Sequence, residues 1–222
     1  NIMIKKLFTL FKLGRKLAKS DILNVVSKFQ KPPLAIKVLF QILSFSFSNP
    51  QKMNLNVTEG ERLSKSIQSM GTTFIKLGQF LVTRPDIIGD DLAKQLEGLQ
   101  DRLPAFTLPE AQIIIKNDLG IETFNSIIDL SEPVAAASIA QVHKAKINDD
   151  GVIKDVAIKI LRPDIKKKFN EEIDALMLFA FFIESFIKKT KRLKLIEVVF
   201  LLKEITNLEM DLRFEAAAAN EY

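Results

Sequence analysis

Two strand-like runs meet across Asn148-Asp149-Asp150-Gly151, and this meeting constrains the fold more than any other stretch of the 222 residues. Ser138 to Ile147 alternates well enough for a strand, and Val152 to Leu161 is rich in β-branched residues. An Asp-Gly pair between such runs supplies the positive φ angles that a tight hairpin turn requires. A β-hairpin is therefore expected, set among helices. Thr58 and Glu61 have capping-box spacing, and Leu63, Ile67, Met70, Phe74, Leu77 and Leu81 recur at every third or fourth position up to Thr83. That predicts one amphipathic helix, bent near Gly71 and ended by Pro85. Asp90 to Leu99 and Pro109 to Leu119 read as two more helices, the second closed by Gly120. Asp164 to Ile187 and Leu195 to Ala219 read as long helices joined by a basic linker, Lys188 to Lys194.

Composition removes several chemistries. With 47% hydrophobic and 27% charged residues the chain can bury a core. Cysteine is absent, so disulfides, thiolate metal sites and cysteine nucleophiles fall away. The one histidine, His143, leaves no imidazole cluster for a metal and reads as a satisfied strand residue; no metal site is expected.

The formal charge of +5 is uneven. Lys5, Lys6, Lys12, Arg15, Lys16 and Lys19 all precede Asp21, the first acidic residue, and Ile4, Leu7, Phe8, Leu10, Phe11, Leu13 and Leu17 alternate with them at roughly helical spacing. This is the pattern of a helix lying on an anionic membrane surface. An ordinary solvated face over a core is the competing reading; a nucleic-acid partner is not expected, since no aromatic-rich strand or nucleic-acid motif accompanies the charge. Pro32 and Pro33 break this first segment, and a second apolar stretch runs from Leu34 to Phe47 into the turn Ser48, Asn49, Pro50. The strongest apolar run, Ala175 to Ile183, is about half of the roughly 20 residues a bilayer span needs and suits a buried helix.

Within Val156-Ala157-Ile158-Lys159 the period-2 rule places Val156, Ile158 and Ile160 on one face and Ala157 with Lys159 on the other. Alone, a lysine on a strand is usually only solvent-facing. Lys76 and Gln79 lie one helical turn apart in Lys76-Leu77-Gly78-Gln79 and can serve one site or form a solvated face. Pro133-Val134-Ala135-Ala136-Ala137-Ser138 is either a phosphate-side loop or a buried small-residue turn.

Taken in order, Phe74-Ile75-Lys76-Leu77-Gly78-Gln79, Thr83-Arg84-Pro85-Asp86, Leu99-Gln100-Asp101, the run from Pro133 to His143, and Val156-Ala157-Ile158-Lys159 with Arg162-Pro163 resemble the UbiB-like atypical protein-kinase family. Glu209-Met210-Asp211 matches the family's Glu-x-Asp element, and Glu215-Ala216 with Asn220 is similar to the Glu-Ala pair that follows it. The resemblance covers roughly residues 54–222.

It implies an α+β fold: a protein-kinase-like N-lobe preceded by a helical extension that folds over the active site. The expected division is 1–53 as basic amphipathic helices, 54–126 as the extension carrying the Lys-x-Gly-Gln element, and 127–222 as the N-lobe. The resemblance implies that Lys159, in a buried ion pair with Glu215 on the long last helix, binds the phosphates of ATP or ADP, with Ala135, Ala136, Ala137 and Ser138 as the phosphate-side loop. A kinase would carry glycines there; alanine restricts φ and keeps backbone farther from phosphate. Lys76, with Gln79, would reach Glu209 or Asp211 and gate the pocket. Kinase chemistry also needs a catalytic-loop aspartate and asparagine and a DFG aspartate for magnesium. The chain stops before such elements, so the expectation is an N-lobe with the C-lobe absent, binding nucleotide but catalytically incomplete, with the magnesium ligands in the missing lobe. The family implies a peripheral protein at the cytoplasmic face of a membrane, working with ubiquinone-biosynthesis proteins or lipid intermediates. A non-enzymatic remnant or membrane-surface binding module is the alternative.

Overall fold

The computed structural model describes residues 2–20, 22, 25–26, 57–186 and 188–219. The prolines at 32 and 33, the apolar stretch expected over 34–47, its turn and Asn220 lie outside the described residues. In chain order the described elements are α1 (Ile2–Lys19), α2 (Glu59–Met70), α3 (Thr72–Val82), α4 (Pro85–Ile88), α5 (Asp90–Leu96), α6 (Leu108–Ser126), β1 (Ile127–Ala136), β2 (Ala140–Asp149), β3 (Val152–Leu161), α7 (Ile165–Phe186), a 3₁₀ turn (Lys188–Leu193), α8 (Leu195–Glu209) and α9 (Leu212–Ala219). They form two compact units, one of residues 1–100 and 167–208, the other of 101–166 and 209–222.

The first unit is helical. Its α2 begins at the expected capping box: Thr58 Oγ1 accepts the Glu61 N–H, and the Glu61 carboxylate accepts the Thr58 N–H at 3.2 Å. The expected bend at Gly71 is a full break, because Gly71 sits at φ 99°, ψ −173°, a conformation essentially reserved for glycine. Lys16 of α1 donates to the Met70 carbonyl at the end of α2, a cation at the negative pole of a helix. Partial burial lowers the Lys16 pKa, nearby Lys168 pushes the same way, and Glu172 opposes them. Two ion pairs, Lys5 with Glu171 at 2.7 Å and Lys6 with Asp174 at 3.1 Å, hold α1 along α7. The buried Glu172 carboxylate accepts the Thr73 hydroxyl from α3. Leu63, Ile67 and Met70 of α2, Ile75 of α3, and Phe169 and Ile173 of α7 are buried at the spacing of one apolar helix stripe.

Close approach decides two glycines. A Cβ on Gly78 of α3 would lie 2.5 Å from Leu99 Cδ2, and one on Gly60 of α2 would lie 2.9 Å from the Gln95 carbonyl of α5. The apolar run within α7 buries Ala175, Ala180 and Ile183 but leaves Phe181 and Phe182 exposed. Among the described residues no helix is long and apolar enough to cross a membrane.

The second unit is a three-stranded antiparallel sheet, order β1-β2-β3, with α6 on one face. Thr107 and Glu110 form a second capping box ahead of Pro109 in the first turn of α6. Gly120, at φ 82° and ψ 166°, closes the first helical segment at Leu119 as expected, and a second short segment, counted here within α6, follows directly to Ser126. The expected hairpin is present, with Asp149 opposite Val152 and Asp150 and Gly151 both at positive φ. Its first strand runs over 140–149 instead of 138–147. One strand was not expected. Ile127–Ala136 pairs with β2, so the sheet is a meander, and Ala135 and Ala136 belong to a strand end instead of a loop. Three register shifts, two of them flanking Pro133, which has no N–H to give the ladder, erase the alternation that would have announced β1.

The long helix expected over 195–219 is likewise two helices. Asp211 accepts the Arg213 N–H at 3.3 Å, so it acts as an N-cap and starts α9 afresh after the buried Met210.

Gly71→Ala should destabilise the protein by about 1–3 kcal/mol through backbone strain alone, since the new Cβ would meet only the Lys16 ammonium at 3.8 Å. Gly98→Ala, with nothing within 4 Å, should stay within about 0.5 kcal/mol of wild type, both read from urea midpoints. Gly78→Ala should cost about 1–3 kcal/mol by overpacking, and Leu99→Ala in the same chain should return part of it; strictly additive losses would count against the contact.

Candidate functional site

The two faces of the sheet separate structure from chemistry. Gln141, His143 and Ala145 of β2 and Ile160 of β3 are buried, and Ile160 packs with Ala111 and Ile115 of α6. The opposite face is open. Ala135, Val142 and Lys159 lie opposite one another across the three strands, and Ala157 shares their face, so the small side chains of two strands flank the lysine.

Lys159 Nζ donates to the Glu215 carboxylate of α9 at 2.6 Å. The partners are those expected, but the pair is not buried: the two side chains are 35% and 60% exposed. Among the described residues of this unit, Ala135 and Ala157 are exposed on the face that carries Lys159 and Val142 and Lys159 are half-buried, whereas α6 packs on the other. An exposed pair contributes little stability, about 0–1 kcal/mol, and its effect here is to orient the ammonium. An ammonium so held, on an open face between small side chains, can donate to the oxygens of a phosphate group.

A cavity of about 400 Å³ adjoins this lysine. Its walls include Ile114 and Asp118 of α6, Ile158 and Ile160 of β3, and Met210 and Arg213. Asp211 also lines it, in a bidentate pair with Arg213 whose charge-assisted hydrogen bonds hold the Asp211 pKa down to about 2. Glu209 ends α8 and is exposed. Lys76 and Gln79 belong to α3 in the first unit, where Lys76 is buried, against a solvated-face reading, and Gln79 is half-buried. Among the described residues no group of three His, Asp or Glu side chains is placed to hold a metal ion.

The Ala-rich turn is held by residues to which sequence reasoning gave no role. Arg162, directly after β3, donates from Nε and Nη2 to the Ala137 carbonyl at 3.0 and 2.7 Å, and from Nη1 and Nη2 to the carbonyls of Pro104 and Leu103. Burial lowers its pKa and the charge of Asp101 opposes that. Asp101 accepts the Ser138 N–H at 3.2 Å. Gln141 closes two hydrogen bonds with the Phe106 backbone, accepting at 2.9 Å and donating at 3.1 Å. His143 is the satisfied strand residue expected. Its Nδ1 donates to the Ser131 carbonyl at 2.7 Å, which leaves Nε2 to accept from the Gln141 amide at 2.9 Å. Leu99-Gln100-Asp101 and Arg162-Pro163 stood in the sequence as fragments, and only the fold brings Asp101 and Arg162 to one turn.

The ABC1 atypical kinase-like domain matches residues 98–222. A Marinobacter nauticus protein named "Probable protein kinase UbiB" is 34% identical over 190 residues, covering 85% of this chain and 34% of that protein. Proteins of the same name from Vibrio cholerae serotype O1 and Shewanella piezotolerans are 32% identical over 218 residues and 38% identical over 162. The first alignment covers 97% of this chain and 38% of its relative, the second 72% and 29%. The chain thus spans about a third of the length of the curated relatives it matches. No solved structure matches it. With a kinase-like sheet, a paired lysine on its third strand and a domain match over more than half its length, the chain belongs to the UbiB-like ABC1 atypical kinase family.

Proposed function

We propose that the chain is the nucleotide-binding N-terminal part of a UbiB-like atypical kinase or ATPase that supports ubiquinone biosynthesis. The observation that carries the reading is the 2.6 Å pair of Lys159 and Glu215 on an open sheet face with Ala135 and Ala157. In this reading Lys159 takes phosphate oxygens of ATP or ADP, Glu215 aims it, and Ala135, Ala136, Ala137 and Ser138 border the phosphate chain. Phosphoryl transfer belongs to the whole protein, and the magnesium ligands are assigned to its C-lobe. The gating role of Lys76 with Gln79, toward Glu209 or Asp211, belongs to the same reading. The division into basic N-terminal helices, extension and N-lobe is part of the same proposal. So is placement at the cytoplasmic face of a membrane, next to the lipid intermediates or proteins of the pathway.

One observation favours the second reading, a membrane-surface module. Met3, Ile4, Leu7, Phe8 and Phe11 of α1 are all about half exposed or more and follow one another on a single helix stripe, with Lys12 and Arg15 alongside.

ATP at a hundred times its Kd should stabilise the protein by about 2.7 kcal/mol, and Lys159→Ala should abolish the shift in melting temperature. An equal shift in wild type and variant would remove Lys159 from the site. Sedimentation with phosphatidylglycerol vesicles, unaffected by nucleotide and lost in a Phe8→Ser, Phe11→Ser chain, would support the module instead. Lys76→Ala should change the nucleotide profile, and an unchanged profile would count against the gate.

A further inference from the structure

Residues 101–106 run toward the N-cap of α6 and are joined to the sheet by side chains. Arg162 is the main joint, donating to the carbonyls of Leu103, Pro104 and Ala137 with its guanidinium 6.0 Å over the Phe106 ring. Gln141 ties Phe106 to β2. The consequence concerns anions. A turn that grips phosphate does so with its backbone N–H groups. In the Ala-rich turn the Ala137 N–H donates to the Ala140 carbonyl at 2.8 Å, and the Ser138 N–H donates to the Asp101 carboxylate. A negative oxygen from the protein's own chain therefore already takes an amide that a phosphate would use.

We infer that Asp101 is a resident anion of the Ala-rich turn, held there with the help of Arg162, and that it determines how much of a phosphate chain the turn accepts. This rests on the nucleotide reading above. The carboxylate competes for the Ser138 amide and repels the incoming charge, so its effect grows with the number of phosphates. Arg162 acts through the turn by fixing the Ala137 carbonyl, and is a positioning residue.

The test is binding of AMP, ADP and ATP, with magnesium, to the full chain and to Asp101→Asn, which keeps the acceptor oxygen and removes the charge. ATP affinity should rise about tenfold, a change that lies between the strength of one charge pair in water and that of one at a protein surface, and AMP affinity should change less than about twofold. Asp101→Ser, smaller and uncharged, should shift the preference the same way, and guards against a folding defect peculiar to asparagine. In hydrogen exchange without nucleotide, Arg162→Gln should speed exchange of the Ser138 amide, and Arg162→Lys should not restore it, since a compact ammonium on a flexible stem lacks the rigid planar fork that spans these carbonyls. Binding by wild type with the AMP, ADP and ATP ratios unchanged in both Asp101 variants overturns the inference alone. No binding of any nucleotide by wild type or either variant overturns it together with the nucleotide reading.

Discussion

A three-stranded sheet with one helix against it must treat its two faces differently, and the second unit is built around that inequality. Under α6 lie Ile160, Ala145 and the polar chain from Phe106 through Gln141 and His143 to the Ser131 carbonyl. Buried polar groups are tolerated there because each is bonded, and the cost of breaking one link falls on its neighbours. The other face carries Lys159, whose charge stays partly hydrated while Glu215 aims it. Burial on one side thus gives rigidity, and exposure on the other keeps a cation available.

The first unit meets a different requirement. Charged side chains tie its helices together at their ends: Lys16 takes a carbonyl at the last turn of α2, and Glu172 of α7 accepts the Thr73 hydroxyl at the first turn of α3. Lys5 and Lys6 are also engaged within the protein. The basic arm therefore offers less free charge than its lysine count suggests, and its apolar stripe is the larger part of what it presents outward.

Legibility followed local determination. The hairpin over β2 and β3, the Thr58 cap, the glycine break at 71 and the Lys159–Glu215 partnership were readable because residues close in sequence, or a distinctive motif order, carry them. Strand β1 was not, because its pairing is set by β2 across bulges and not by its own pattern. The division at Met210–Asp211 was missed because apolar periodicity continues through it, although an Asp ahead of Leu-Arg-Phe-Glu is an N-cap signal that could have found it. The exposure of the Lys159 pair follows from how much of a face is covered, which no local pattern encodes. Asp101 and Arg162 were visible only as fragments, since their meeting place depends on the path of residues 101–106.

The Asp211 cap couples two elements usually thought of separately. Its carboxylate starts the helix on whose next turn Glu215 stands, so the orientation of Lys159 depends mechanically on a side chain it does not touch. Any group that draws Asp211 away from Arg213 and the first turn of α9 forfeits a cap contribution of about 0.5–2 kcal/mol and loosens the helix at its root. The firmness of the lysine's anchor is therefore set one helical turn ahead of the carboxylate that holds it.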